Sequence, residues 1–282
     1  MNRPAERAFL SIVQWPEGWD QDRCARVLVE CAGFDAYGAG LAARRGTPQV
    51  AGLVDVDRAA GILERLSGAG VTAFAPSESE LGGLVTVAVK DLRRAEGAPE
   101  AMYVVEPWRR HDALALKTSE IALLVRGTID RQRRRSRADT SEPGLAGAGA
   151  VMIAGAAGAM AYAAAGAGSV TTTSGRGTEV LDIFTREGLR LRIDGDKFGF
   201  GVLGRERALT DRENTDRLAL RLAREAPRAL LDMGFGNFRC PPHLLRTTGR
   251  SGGTETVRVT DETPIFEFYS AWAWLMHRRW IA

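Results

Sequence analysis

Glycines at 199, 201 and 204, in the run Gly199-Phe200-Gly201-Val202-Leu203-Gly204, have the spacing that lets a backbone approach a pyrophosphate. That chemistry needs the glycines to open a helix within a parallel strand-helix-strand unit, with an acidic residue after the second strand. Here the next helical pattern opens only at 210–211, and Asp216 lies inside it. A turn that lets Phe198 and Phe200 reach the core is the simpler reading. Cys240 and His243, separated by two prolines, are half of a zinc site with no second pair at suitable spacing, and an extended Pro-Pro segment holds thiol and imidazole apart. His111 stands among charges with no other ligand residue beside it. No catalytic residue, metal or cofactor is expected from these groups, and the chain reads as non-catalytic.

Surface chemistry is better represented. Arg131, Arg133, Arg134, Arg135 and Arg137 fall within seven residues, just ahead of the stretch 144–170, which is almost entirely Gly, Ala and a few apolar residues. A basic cluster beside an apolar segment is the pattern found at the cytoplasmic end of a spanning helix, and the length exceeds the roughly 20 residues that cross hydrocarbon. The energetics oppose insertion. Only Leu145, Val151, Ile153 and Val170 contribute clearly, at about −0.3 to −0.6 kcal/mol each, and each glycine lowers helix propensity by up to about 1 kcal/mol relative to alanine. A flexible or partly helical insertion is expected instead, the alternatives being a membrane-interacting segment, with Val151 and Ile153 as membrane or partner contacts, and a close-packed helix whose small residues let backbones approach. At the end of the chain, Trp272, Trp274 and Trp280 lie among phenylalanines and beside Arg278 and Arg279. Such a segment docks its aromatics into the core or offers them to a membrane interface or partner groove. Arg44 and Arg45, ahead of Gly46, sit in a loop that could receive an anion.

The elements that carry these residues begin with a repeat. DRCARVLVECAGFDAY (22–37) and DRAAGILERLSGAGVTAF (57–74) share Asp-Arg, spaced aliphatics, Ala-Gly and a closing aromatic. Each copy predicts a helix, by the 3.6-residue recurrence of its aliphatics, followed by a strand. Gly33 and Gly70 are expected to end the helices in the left-handed conformation. Apolar runs at 9–15 and 49–54 predict a strand before each helix. The resulting β-α-β-β-α-β order is the ferredoxin-like pattern, and it resembles small regulatory modules of the ACT kind at the level of the superfold alone.

Beyond it, strands are predicted at 84–92, 102–107 and 121–129, and a hairpin over 179–194 turning at Glu187-Gly188. A helix capped by Thr210 and Glu213 follows, with its stop at Pro227. Antiparallel strands followed by a helix resemble the pleckstrin-homology-like arrangement over about residues 101–232, which implies a binding or membrane-proximal adaptor. If 121–129 pairs with 179–194, then 144–170 interrupts one sheet, and its 27 residues are too few for two spans of about 20 each.

The expected architecture is therefore α+β: a duplicated ferredoxin-like domain over 1–82, then a β-rich domain over 83–282 interrupted by a flexible Arg-rich and Gly/Ala-rich insertion at about 131–177. Hydrophobic residues at 45% and charged residues at 26% are those of a globular chain. All cations but Lys90, Lys117 and Lys197 are arginines, which reads as compositional bias, so the net charge of +3 is not taken as a nucleic-acid signal. Three cysteines build no disulfide framework and MNRPAERAFLS has no apolar signal core, so a cytoplasmic protein is expected, peripheral to the membrane if lipid is engaged. The function anticipated is regulatory, adaptor or assembly work through a protein partner or self-association. The alternative is a membrane-associated protein that uses 144–170, the arginines and the aromatic end on an anionic membrane surface.

Overall fold

A computed structural model describes residues 6–97, 101–109, 112–137, 170–174, 177–239, 246–252 and 255–280. It shows a mixed α+β chain. Strand β1 (Arg7–Gln14) alternates Leu10 and Ile12 against Phe9 and Ser11, so both of its faces must be covered. It is the centre of a three-stranded sheet, with β2 (Gln49–Asp55) and β3 (Thr72–Phe74) antiparallel on either side. Helix α1 (Gln21–Val27) is capped by Asp20, whose carboxylate accepts from the Arg23 N–H at 2.7 Å, and runs on through a π turn (Leu28–Ala32). Gly33 ends it at φ 72°, and Gly70 at φ 83° follows the second repeat's helix, both left-handed as the sequence requires.

The strand expected at 34–37 is a helix instead. Asp35 accepts from the Gly38 N–H at 2.8 Å, and the alanine-rich stretch behind this cap forms α2 (Ala36–Ala43). Alanine has the highest helix propensity, and a side-chain cap at Asp35 removes one of the orphan donors that make a short helix costly. The N-terminal region thus builds three strands where the ferredoxin-like pattern needs four. The second repeat supplies α3 (Val56–Gly68), whose Ala59, Ile62 and Leu66 are buried against the sheet, and a short α4 (Glu78–Gly82) follows, closed by a Ser77/Glu80 capping box.

The next strands are β4 (Thr86–Arg94), β5 (Met102–Pro107), β6 (Leu114–Lys117), β7 (Ile121–Ile129), β8 (Arg131–Arg137), β9 (Val170–Ser174), β10 (Thr178–Thr185), β11 (Arg190–Asp194) and β12 (Leu230–Asp232). Seven of them form one sheet in the order β12-β7-β10-β11-β4-β5-β6. Hairpin β10–β11 turns where the sequence placed it, with Gly188 at φ 89°. Two pairings are parallel, β4 with β11 and β7 with β12, which departs from the all-antiparallel order expected of a pleckstrin-homology-like sheet. Strands β7 and β10 are neighbours. Arg186 N–H donates to Glu120 O at one end and Thr128 meets Glu179 at the other, so they run antiparallel.

Both faces of this sheet are covered. Leu124, Leu181, Ile183, Leu191 and Ile193 pack under helix α5 (Asp211–Glu225), which is capped by Thr210 and stops before Pro227. Phe198 and Phe200 join that core edge-to-face at 5.0 Å, the purpose read for the glycine run around them. The alternate positions meet the last helix, α6 (Thr263–Trp280). Phe184 stacks on Trp274 at 5.2 Å, while Gly127 leaves room for Phe235 and Phe266. The opposite side of α6 meets the three-stranded sheet: Phe268 packs on Phe9, and Trp272 stacks on Phe74 and donates its indole N–H to Ser11 Oγ at 2.9 Å.

The same interface contains a buried ionic group. Asp182 is fully buried and accepts from Arg190, Arg192 and Ser270 at 2.6–2.9 Å. Glu267 of α6 pairs with both guanidiniums. Burial works against the charge on Asp182, but Arg192 and Arg190 together outweigh it and hold the carboxyl below its usual range.

Two compact units result. Residues 1–128, 178–244 and 265–282 form the one just described. The other comprises 129–177 and 245–264, and holds an antiparallel sheet in the order β13-β14-β8-β9, with β13 (Arg246–Gly252) and β14 (Glu255–Asp261). The arginine-rich stretch read as the start of the insertion is strand β8 of this sheet. Ser136 stands opposite Val170.

Candidate functional site

A cavity of about 710 Å³ in the larger unit is bounded by residues 44–50, 230–234, 237–239 and 269–277, with Leu123 behind them. Its size lies within the range of small-molecule sites. Three local structures shape it. The chain leaving α2 enters β2 through a cis Thr47-Pro48 bond. The turn after β12 is held by Asp232, which accepts from the Gly234 N–H at 2.7 Å and from the Tyr269 hydroxyl at 2.8 and 2.9 Å. Gly234 is required there, because a Cβ would stand 2.6 Å from the Tyr269 oxygen. The third wall is the C-terminal half of α6.

The chemistry of the lining is uneven. Phe238, Trp272, Ala273 and Met276 supply apolar surface, while Arg44, Arg45 and Arg239 are exposed at the rim. Among the described residues of the lining Asp232 is the one carboxylate, and both of its oxygens accept hydrogen bonds. Burial, then the charge of Asp232 and the hydrogen bond to it, push the Tyr269 hydroxyl far above its usual range, so Tyr269 stays a donor. Burial, then the charge of Arg186, keep the His277 imidazole below its usual range and neutral.

Two deeply buried polar atoms in this lining have no partner among the described residues. Gln49 is 6% exposed, and its amide nitrogen donates to Ala42 O at 2.7 Å, which fixes the nitrogen on that side and leaves Oε1 unmet. His277, also 6% exposed, has an unpaired Nδ1. A buried polar atom left unsatisfied costs on the order of 1–3 kcal/mol, so such atoms mark places built to meet something.

The residues singled out from sequence fall elsewhere. Arg131, Arg133, Arg134, Arg135 and Arg137 lie on β8, where the register sets Arg134 opposite Arg258 and Arg137 opposite Glu255. Val151 and Ile153 lie outside the described residues, as do His111, Cys240 and His243. Trp272 and Trp274 are 2% exposed and belong to the core, where the indole N–H of Trp272 is spent on Ser11 and the ring of Trp274 stacks on Phe184; Trp272 also lines the cavity. Trp280 is half exposed. Cys24 is buried and Cys31 partly so. The Arg44-Arg45 loop and Trp272 are the sequence candidates that the cavity takes up. Gln49 and His277 carried no signal, since a single polar residue in a strand or an aromatic helix has no spacing to betray it.

Among the described residues no cluster of His, Cys, Asp or Glu could hold a metal ion, and no helix is long and apolar enough to cross a membrane. No family model matches the chain, and no curated protein or solved structure is detectably similar to it.

Proposed function

We propose that the chain is a non-catalytic binding protein of regulatory or adaptor type, in which a small molecule seated in the cavity sets its contacts with a partner or a second copy of itself. The observation that carries this reading is the pair of unmet buried atoms, Gln49 Oε1 and His277 Nδ1, inside a cavity of ligand size. Its carboxylate is tied to Tyr269 and Gly234, an arrangement suited to holding a molecule. The cavity walls come from three stretches distant in sequence, so an occupant would bias how they pack together.

The test is a thermal-shift screen with a fragment set on the wild type and on Leu230→Trp, a substitution at a partly exposed wall position that fills the mouth. Fragments that stabilise the wild type and not the variant support the reading. A screen without hits, or hits that shift both proteins equally, overturns it.

A second reading, contact with an anionic membrane surface, is favoured by the register of the smaller sheet. The backbone register sets Arg134 opposite Arg258, so arginine positions are paired across neighbouring strands, a concentration of positive charge that suits an anionic surface. Flotation with phosphatidylserine-containing vesicles at low salt tests it. Protein that remains at the bottom of the gradient ends that reading.

A further inference from the structure

Resting on the proposed ligand site, we infer that its occupant is an amphipathic organic anion: a carboxylate or phosphate monoester joined to an apolar body and bearing at least one hydroxyl or N–H. Charge sets the first part. Among the described residues three arginines, Arg44, Arg45 and Arg239, line the cavity against the single carboxylate of Asp232. Among the described residues none of the three is paired with a carboxylate. Arg44 donates its Nε to Gly40 O at 3.1 Å, which leaves its two terminal nitrogens free to clamp an anion in the planar, two-point manner guanidiniums favour. The acid in the wall does not compete for them, because Tyr269 and the Gly234 N–H already occupy it.

The second part follows from the wall behind the rim. Phe238 and Trp272 are in ring contact at 5.7 Å, and with Ala273 and Met276 they make an apolar surface that an inorganic ion would leave unused. The third part follows from Gln49. Its amide nitrogen faces the Ala42 and Arg45 carbonyls, so the oxygen turned away from them is an acceptor and only a donor can satisfy it. The neutral imidazole of His277 offers a second polar contact of either sense. A bare fatty acid meets the first two demands and fails the third, so a hydroxylated or N-acylated acid fits better.

The experiment uses N-decanoylglycine, which combines carboxylate, N–H and alkyl chain, beside its uncharged methyl ester and beside decanoate, which lacks the N–H. Binding to the full chain is read by calorimetry and by quenching of tryptophan fluorescence. The acid should bind at least tenfold more tightly than the ester and several-fold more tightly than decanoate. The surface triple variant Arg44→Ala/Arg45→Ala/Arg239→Ala should abolish the difference between acid and ester while leaving the thermal midpoint unchanged. Acid and ester binding alike, or a triple variant that still discriminates between them, overturns the assignment of an anion. If all three probes fail although the fragment screen finds ligands sensitive to Leu230→Trp, the class is wrong and the site stands. Failure of both experiments removes the class and the site together.

Discussion

Replacing Asp182 with Asn tests whether the ionic group under α6 fastens that helix to the sheet. Four charged side chains take part, Asp182, Glu267, Arg190 and Arg192, and their formal charges cancel. The substitution removes the buried one of the two carboxylates that both guanidiniums share. Arg190, with its side chain 2% exposed, is left facing only Glu267, which is 41% exposed and on the far side of the group. Breaking a buried pair by deleting one partner costs about 3–5 kcal/mol, because a charge remains without compensation. The complementary change, Glu267→Gln, removes a partly solvated partner and leaves Asp182 in place, and screening limits its cost to about 1 kcal/mol or less. Against a total stability of about 5–15 kcal/mol, the first is severe and the second slight. Urea unfolding followed by tryptophan fluorescence should show the difference directly, since Trp272 and Trp274 lie on the helix that would be released. A triple apolar replacement, Asp182→Leu with Arg190→Met and Arg192→Met, should recover much of the loss, as well-packed apolar substitutes for buried ion pairs often do. If Asp182→Asn costs no more than Glu267→Gln, the reasoning fails.

Three further expectations are more local. His277 is held neutral in the folded chain, so the unfolded chain takes up a proton first as pH falls through about 6.5; stability should be full above that pH and decline below it, and His277→Gln should flatten the slope between pH 7.5 and 5.5 in urea titrations. Gly127→Ala would place a Cβ 2.6–2.8 Å from the rings of Phe266 and Phe235, an overpacking expected to cost about 1–3 kcal/mol and visible as a loss of near-ultraviolet circular dichroism. Thr210→Ala removes the acceptor for the Glu213 N–H at the start of α5, and a fall of about 1 kcal/mol in unfolding free energy is expected, where Thr210→Ser should be nearly silent.

The parts of the fold that were legible are those in which local chemistry and burial agree. The hairpin at Gly188, the cap at Thr210, the stop at Pro227 and the left-handed Gly33 and Gly70 are each decided within a few residues. The run 121–129 was recognisable as buried because its apolar side chains do not alternate, and the sheet indeed has helices on both faces of β7. The segment 34–37 misled because its match to the second repeat suggested a strand, whereas Asp35 and the alanines behind it had already specified a helix. Trp272 and Trp274 beside arginines suit an interface as well as a core; only the positions of Ser11, Phe74 and Phe184 decide between them. The cavity was out of reach for another reason. Residues 44–50, 230–239 and 269–277 are remote in sequence, and what unites them is the packing of two sheet edges, β2 and β12, around one helix.

That helix also sets an order of events for the growing chain. α6 is the last described element to leave the ribosome, and yet Phe9 and Ser11 of β1 and Phe74 of β3 have their partners on it. Strands β1 and β3 must therefore wait, with one apolar face uncovered, until α6 arrives. The larger unit is completed only once residues 263–280 have been made. A chain interrupted before residue 263 would carry both sheets but nothing to close them, and a separate 263–280 peptide added in trans is the piece that could restore it.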